Sequence, residues 1–125
     1  MTNTSKNAIG LALLRILPSA MLLTHGIPKF QKLISGDLQF GDPIGIGDAP
    51  TLFLAVIAEF VCSILIIIGY KTRWAAVPPA IVMIVAVGIV HSADPFGVKE
   101  KPLLFLAFFI AIILLGPGKY SIDKK

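Results

Sequence analysis

The amino-acid sequence predicts an all-α fold, an integral membrane up-down four-helix bundle with four transmembrane helices. Of the 125 residues, 56% are hydrophobic and only 14% are charged, and the mean hydropathy is +0.88. A soluble domain carries about a quarter charged residues and less than half apolar ones, so an ordinary soluble enzyme is excluded. A disordered chain is excluded too, because disorder needs few apolar residues and much charge. The apolar residues also gather into four blocks, each near the length that crosses a bilayer.

Four helices are predicted in one domain that covers residues 1–125, over residues 8–30, 51–70, 74–92 and 101–116. Backbone groups in lipid must be satisfied within their own segment or in a closed barrel, and the blocks lack the apolar–polar alternation of barrel strands. The first helix contains Arg15 and is expected to be retained rather than cleaved as a signal peptide. Pro78 and Pro79 open the third helix or kink it early.

The fourth apolar block is the shortest, at fifteen residues, and spans the bilayer only if its flanks contribute or the bilayer thins. Pro102 is expected at its first helical position, and Gly116 at its end. Short connections before the third and fourth helices force neighbouring helices to run antiparallel.

Lysine and arginine residues lie mostly between the blocks, which is typical of membrane loops and argues against a nucleic-acid-binding face. With both termini on one side of the membrane, six of these residues lie on that side and four on the other. The positive-inside rule then predicts cytoplasmic N- and C-termini.

Five ionisable side chains fall inside the blocks and are the candidate site residues: Arg15, His25, Lys29, Glu59 and His91. Such a residue at a helix centre costs about 2.5 to 3.5 kcal/mol, so it usually faces the bundle interior and has a partner. The first three share one face of the first helix. Glu59 comes to a height between Arg15 and His25, and His91 nearly reaches His25. The pattern predicts a polar cavity in the outer half of the bundle, with Glu59 at its floor, for substrate or quinone binding or proton relay.

Each of these residues also has a structural interpretation. Glu59 could form a buried ion pair with Arg15 that only fixes helix register, and Lys29 could extend to the membrane surface. His25 and His91 could together ligate a b-type haem, but histidines near helix ends are more often hydrogen-bonded interface residues, which disfavours haem.

No metal site is predicted. Cys62 is interpreted as a small buried hydrophobe. The loop over residues 36–50 contains Asp37, Asp42 and Asp48 without the spacing of a calcium loop, so a solvated, turn-rich connection is expected. Its length would let it fold over the outer mouth of the cavity.

Four stretches together resemble the DoxX family of small bacterial membrane proteins, within the wider DoxX/DoxD-like group. They are His25-Gly26-Ile27-Pro28-Lys29-Phe30, Ala58-Glu59, Gly69-Tyr70-Lys71-Thr72-Arg73-Trp74-Ala75-Ala76 and Gly116-Pro117-Gly118-Lys119-Tyr120-Ser121-Ile122-Asp123. The resemblance spans nearly the whole chain. It implies a four-helix membrane fold in the bacterial cytoplasmic (inner) membrane. Its pattern covers His25, Lys29 and Glu59, whereas Arg15 and His91 rest mainly on the geometric argument.

The resemblance also implies a link to redox chemistry, because relatives are similar to a subunit of a thiosulfate:quinone oxidoreductase. The sequence is therefore interpreted as a redox-associated membrane protein that binds a quinone or a small sulfur substrate. Without a soluble domain it is not expected to oxidise thiosulfate alone, so redox partner subunits or a homo-oligomer in the bilayer are expected. A non-enzymatic scaffold or anchor subunit for a redox or stress-response complex is the first alternative. A small proton- or ion-coupled transporter is the second.

Overall fold

The computed structural model describes residues 3–123, and in this range every regular element is helical. Helix α1 covers Asn3–Ile34, α2 covers Asp48–Ile68, α3 covers Thr72–Val90, and α4 covers Phe96–Leu115. The predicted all-α class is confirmed. Helices α1, α2 and α3 are long and apolar enough to cross a membrane, whereas α4 carries three charged residues, 99–101, in its first two turns.

The helix ends differ from the predicted ones because a helix continues beyond its apolar part wherever its backbone bonds continue. Helix α1 begins at Asn3 rather than at residue 8 and ends at Ile34 rather than at residue 30. Helix α4 begins directly after Pro95, which places Pro102 inside the helix rather than at its first position. The sequence pattern therefore located the four helical segments but underestimated the lengths of α1 and α4.

Helix α2 ends in a Schellman motif. Gly69 takes the left-handed conformation, with φ 74°. Its N–H donates to the Ile66 carbonyl at 3.0 Å, and the Tyr70 N–H donates to the Leu65 carbonyl at 2.9 Å. This paired closure is the usual use of a C-terminal glycine, and it turns the chain at once into α3.

Two local irregularities mark the long helices. Helix α3 is interrupted at Ala76, and Pro78 and Pro79 stand in the first turn of the segment that follows. Residues 57–61 in α2 and 86–90 at the end of α3 are wound as π-helix. Single π-helical turns are rare and frequently coincide with functional sites, and the first of them contains Glu59.

Each helix packs against the next one along the chain, and α4 also packs against α1. The interior is apolar and includes Leu22, Cys62, Ile66, Ala75, Ala76, Ala80, Met83, Phe105, Phe109 and Ile112. Outward-facing side chains are apolar as well: Leu13, Leu17 and Met21 repeat every four residues on α1 and are all more than half exposed. An apolar exterior of this extent marks a membrane-facing surface.

Candidate functional site

A lysine–glutamate ion pair joins α1 to α2. Lys29 Nζ lies 2.6 Å from both carboxylate oxygens of Glu59. The Glu59 side chain is 5% exposed and that of Lys29 is 28% exposed, so the carboxylate is enclosed while the ammonium retains a route to the surface. Glu59 is thus paired with Lys29 and not with Arg15, and Lys29 turns inward rather than outward to the membrane surface.

Gly26 makes this pairing possible. A Cβ atom at Gly26 would lie 2.6 Å from the carbonyl carbon of Glu59 and 2.8 Å from the backbone nitrogen of Phe60, and would also overlap the Glu59 carbonyl oxygen. Only glycine has no such atom, so the two backbones meet here. Lys29 is three residues further on the same face of α1, and this close approach brings its ammonium within reach of Glu59.

Phenylalanine residues adjoin the pair. Phe30 and Phe60, each the neighbour of a charged partner in the sequence, stack with ring centroids 4.3 Å apart and planes 2° apart. Lys29 Nζ lies 5.9 Å from the centroid of the Phe40 ring, at the outer limit of a cation–π contact. Phe40 belongs to the α1–α2 loop, so this residue of the loop lies near the ion pair.

The loop is organised around Asp42. Its carboxylate accepts hydrogen bonds from the backbone N–H groups of Gly47 at 2.7 Å and Ile46 at 2.9 Å, and from the Thr51 hydroxyl at 3.0 Å. The bond from Gly47 has the largest effect; together with the weaker effects of the Ile46 and Thr51 bonds, it lowers the pKa of Asp42 against the opposing effect of desolvation. A hydrogen bond from Lys32 likewise lowers the pKa of Asp37. Asp42 is satisfied by the loop itself, whereas Asp37 is bonded by Lys32 of α1 and by the Gln39 backbone N–H; both act as turn residues.

His25 lies beside the ion pair but on the exposed side of α1. The charges of Lys101, Lys29 and Glu59 all act on its imidazole ring. The structure therefore brings together three candidate residues, His25, Lys29 and Glu59. It adds Lys101 of α4, which the sequence analysis placed at the first residue of the fourth helix and did not choose as a candidate.

An apolar slot of about 250 Å³ opens between α1 and α4. Its lining residues are Pro18, Met21, Gly97, Glu100, Lys101, Leu104, Phe105 and Phe108. Met21 precedes His25 by one helical turn, so the slot extends from the charged end at Lys101 towards the middle of α1. The predicted cavity with Glu59 at its floor differs from this slot, whose lining does not include Glu59.

Arg15 is buried, with 2% of its surface exposed, but it takes no part in the Lys29–Glu59 ion pair. Its guanidinium donates to the backbone carbonyls of Pro117 at 2.5 Å, Tyr120 at 2.7 Å and Ile67 at 3.3 Å. All three acceptors belong to the C-terminal segment or to the last turn of α2. Arg15 therefore fastens the C-terminal segment to α1 and α2, a role that its five planar donors suit.

The C-terminal segment also caps the start of α3. The Asp123 carboxylate accepts hydrogen bonds from the backbone N–H groups of Lys71 at 3.0 Å and Thr72 at 2.9 Å, and from the Thr72 hydroxyl at 3.0 Å. The backbone N–H groups of Ile122 and Asp123 donate to the carbonyls of Ile68 and Gly69. A carboxylate at this position satisfies N–H groups that have no partner within the helix.

Lys71, in this cap, has a φ of 49°, a left-handed conformation that costs a non-glycine residue about 1 kcal/mol. A second pocket, of about 440 Å³, adjoins it and is lined by Lys71, Thr72, Arg73, Trp74, Pro117 and Asp123. The sequence stretch that begins at Gly69 and the one that begins at Gly116 thus pack together and line the same pocket at this end of the molecule.

His91 lies apart from the other candidates. Its Nδ1 atom is 2.8 Å from Asp94 Oδ2, three residues further along the chain, so its partner is local rather than on α1 or α2. Cys62 is a buried free thiol. Among residues 3–123, no three His, Cys, Asp or Glu side chains are grouped closely enough to hold a metal ion.

Sequence reasoning missed Lys101 and the partner of Arg15. Lys101 was predicted at the first residue of the fourth helix, at the edge of the membrane; because α4 begins at Phe96, Lys101 lies in the second turn of the helix. For Arg15 the partners are backbone carbonyls, which no side-chain pattern reveals. The only pointer was the Gly116–Asp123 stretch itself, since a defined segment after a helix end needs an attachment.

Comparison with known proteins places the chain in a family. The DoxX family model matches residues 10–92, which includes the His25-to-Phe30 stretch, Glu59 and the turn between α2 and α3. The chain belongs to the DoxX family. The predicted membership is confirmed, and the chain is a DoxX family membrane protein with several apolar helices.

Curated relatives resemble this DoxX protein over most of their length. CatD of Bacillus subtilis, named provisionally as an oxidoreductase, is 32% identical over 92% of this chain and 85% of its own. The inner membrane protein YqjF of Escherichia coli is 28% identical over 93% of this chain and 91% of its own. A functionally uncharacterised protein of Haemophilus influenzae is 31% identical over 92% and 89% of the respective chains. No solved structure matches the chain.

Proposed function

We propose that this DoxX protein is a redox-associated subunit of the bacterial inner membrane that binds a quinone-like ligand in the slot between α1 and α4. The observation that carries the proposal is the slot itself, which is apolar along Met21, Leu104, Phe105 and Phe108 and carries two opposite charges at one end, Glu100 and Lys101. Small-molecule sites combine these two properties, an apolar lining and a few placed polar groups.

The slot suits a quinone ring better than a small sulfur anion. A volume of about 250 Å³ lies just below the usual range of about 300 to 1,000 Å³ for small-molecule sites, as expected when the ligand's tail remains in lipid. Lys101 can donate a hydrogen bond to a quinone carbonyl. A thiosulfate ion would have to leave water for aromatic walls, at high cost.

His25 and the ion pair would supply proton exchange at the charged end. An imidazole can take up or release a proton near neutral pH, and the exposure of His25 gives it access to water. The Lys29–Glu59 pair sets the local charge beside it. Electrons would come from a redox partner subunit. The provisional naming of CatD as an oxidoreductase supports this direction.

The proposed membrane arrangement is a bundle of four spanning helices with both termini in the cytoplasm. The contacts of each helix with the next, closed by α4 against α1, support an up-down four-helix bundle in which α4 also spans the membrane. The excess of Lys and Arg at the end that holds Lys71, Arg73 and Lys119 supports cytoplasmic termini. The relative YqjF is named an inner membrane protein, which supports that location.

Filling the slot tests the proposal. A Cβ atom at Gly97 would meet no other atom within 4 Å, and the same holds for Gly10 on α1. Gly97→Leu places a side chain in the slot, and Gly10→Leu is the matched control outside it. We expect a short-chain quinone to bind the purified protein, and to bind Gly97→Leu at least tenfold more weakly, as measured by isothermal titration calorimetry in detergent. Equal binding by Gly97→Leu, or no binding by the parent protein, would contradict the proposal.

A second candidate function is a membrane scaffold for a redox or stress-response complex. The observation that favours it is that both buried charges have internal partners: Glu59 has Lys29, and Arg15 has three carbonyls. On this view Gly97→Leu leaves the recovery of partner proteins unchanged, whereas variants that loosen the fold reduce it. Cross-linking and mass spectrometry of native membranes would distinguish the two functions.

A further inference from the structure

We propose that the pocket at the start of α3 binds the phosphate group of an anionic membrane lipid, with Arg73 and Lys71 as its donors. This pocket has a volume of about 440 Å³ and lies at the opposite end of the molecule from the Lys29–Glu59 pair. The proposal is independent of the quinone slot.

The Arg73 guanidinium is positioned but not neutralised. It forms no hydrogen bond or ion pair with residues 3–123, and it lies close to the backbone of Gly116. A Cβ atom at Gly116 would be only 2.8 Å from Nη2 and 3.0 Å from Nε of Arg73. The absence of a side chain at Gly116 thus leaves room for the guanidinium, and Arg73 also lines the pocket. A planar guanidinium with free donors is the preferred protein group for a phosphate.

Lys71 adds a second cation on the same wall. Its ammonium lies 5.7 Å from the centroid of the adjacent Tyr70 ring and forms no ion pair within the described residues. Asp123 also lines the pocket, but its carboxylate accepts the bonds from Lys71, Thr72 and the Thr72 hydroxyl already described. The pocket therefore presents two cations against one carboxylate that is hydrogen-bonded to the start of α3.

The aromatic side chains around the pocket place it at the depth of lipid head groups. Trp74 lines the pocket and is 80% exposed, and Tyr70 and Tyr120 are about half exposed. Tryptophan and tyrosine concentrate where a membrane meets water. Basic residues at this depth attract anionic lipids. A phosphate that belongs to a lipid is therefore favoured over a phosphate free in water.

Trp74 provides the measurement, because it is the only tryptophan of the chain. The full-length protein is placed in mixed vesicles of phosphatidylglycerol and phosphatidylcholine, in which either one lipid or the other carries brominated acyl chains that quench fluorescence. We expect brominated phosphatidylglycerol to quench Trp74 several-fold more effectively than brominated phosphatidylcholine at the same mole fraction. Equal quenching by the two lipids would overturn the proposal.

Charge-matched variants assign the effect to the pocket. Lys71→Gln/Arg73→Gln should lose the preference for phosphatidylglycerol, with a fall of about fivefold for each charge removed, equivalent to about 1 kcal/mol per basic residue near an anionic surface. Lys32→Gln/Lys99→Gln removes two charges at the other end and should keep the preference. A preference that survives in the first variant, or is lost in the second, counts against the pocket.

Two further experiments test the role of the guanidinium and the source of the phosphate. Arg73→Lys keeps the charge and loses the planar fork, and its thermal unfolding shows whether any loss of selectivity reflects misfolding. A folded Arg73→Lys with a weakened preference supports the assigned geometry. Inorganic phosphate is then added to wild-type vesicles. Unchanged quenching supports a lipid ligand, whereas a Trp74 response to millimolar phosphate that abolishes the lipid preference would show a site for soluble phosphate instead.

Discussion

Lys29 and Glu59 are joined by two hydrogen bonds of 2.6 Å at the level where Gly26 lets the backbones of α1 and α2 meet. Ion pairing and helix packing are therefore coupled at this level. A change that separates the two helices also pulls the charges apart, and a change that removes one charge leaves the other in an apolar interface. This coupling makes the region sensitive to substitutions of quite different kinds.

Replacing Glu59 by Gln should lower stability. Lys29 would then keep a charge in a site with only an amide oxygen as acceptor, and breaking a buried ion pair is strongly destabilising. Because Lys29 is 28% exposed, we expect a loss of about 1 to 3 kcal/mol, measured by thermal unfolding in detergent. Lys32→Gln is the control, since it breaks an exposed pair with Asp37 and should lower stability much less than Glu59→Gln does.

A double variant distinguishes a paired role from two separate ones. Lys29→Met/Glu59→Leu removes both charges, so no uncompensated charge remains. Its loss of stability should be smaller than the sum of the two single losses. Additive losses in the cycle would show that the two residues do not depend on each other.

Gly26→Ala should damage packing directly. The added methyl group would overlap the Glu59 carbonyl group, so the helices must separate, and overpacking of this kind costs about 1 to 3 kcal/mol. Gly10→Ala is a matched control on the same helix, where a Cβ atom meets nothing within 4 Å. That change should stabilise α1 by about 0.5 to 1 kcal/mol. Opposite signs in thermal unfolding would confirm the prediction, and equal effects would contradict it.

The fold class was predictable because it depends on composition and block length alone. The extension of the helices beyond the apolar blocks was not predictable, because the first residues of α1 are polar and no apolar pattern marks them. Pro102 misled for a related reason: proline is tolerated in the first turn, but here α4 begins at Phe96, six residues before it.

The site was predictable only in part. A buried Glu59 needs a cation, and both Arg15 and Lys29 met that need on the helical wheel. Which of the two cations pairs with Glu59 depends on two contacts. Gly26 brings Lys29 to Glu59, and the carbonyls of the C-terminal segment bind Arg15. Neither contact follows from periodicity, because one is a backbone approach and the other joins residues about a hundred positions apart in the sequence.

The loop between α1 and α2 should lose order in acid. The pKa of Asp42 is lowered in the folded loop, chiefly by the hydrogen bond from Gly47. A lowered folded pKa means that the contribution of Asp42 is fully present above its unfolded value of about 3.9 and is lost as the pH falls through the lower folded value. Carbon NMR of labelled aspartate should therefore show Asp42 titrating below about 3.9. A midpoint at or above that value would contradict the prediction.

Thr51 provides the control for this titration. Its hydroxyl donates to Asp42 at 3.0 Å, and Thr51→Val removes that donor while the backbone bonds remain. The midpoint of Asp42 should move only part of the way towards its ordinary value, because the bond from Gly47 has the larger effect. A complete return would show that the hydroxyl, and not the backbone, determines this pKa.

Replacing Arg15 should release the C-terminal segment. In Arg15→Met the carbonyls of Pro117 and Tyr120 lose their donor. Each buried unsatisfied group costs about 1 to 3 kcal/mol. Lysine would not restore the fastening, because one ammonium cannot reproduce the planar fork. Lys119 lies between Pro117 and Tyr120 in the sequence. Trypsin should therefore cut after Lys119 sooner in Arg15→Met and in Arg15→Lys than in the parent protein, as followed by mass spectrometry.

The control for Arg15 is Lys6→Met, which removes an exposed cation near the start of the same helix. It should leave cleavage after Lys119 unchanged. Asp123→Asn offers a second comparison, because it weakens the cap on Lys71 and Thr72 while the bonds of Arg15 remain. Its cleavage should fall between that of the parent protein and that of Arg15→Met. Cleavage in Arg15→Met as slow as in the parent protein would mean that the cap alone holds the segment, and that the buried guanidinium is not its main attachment.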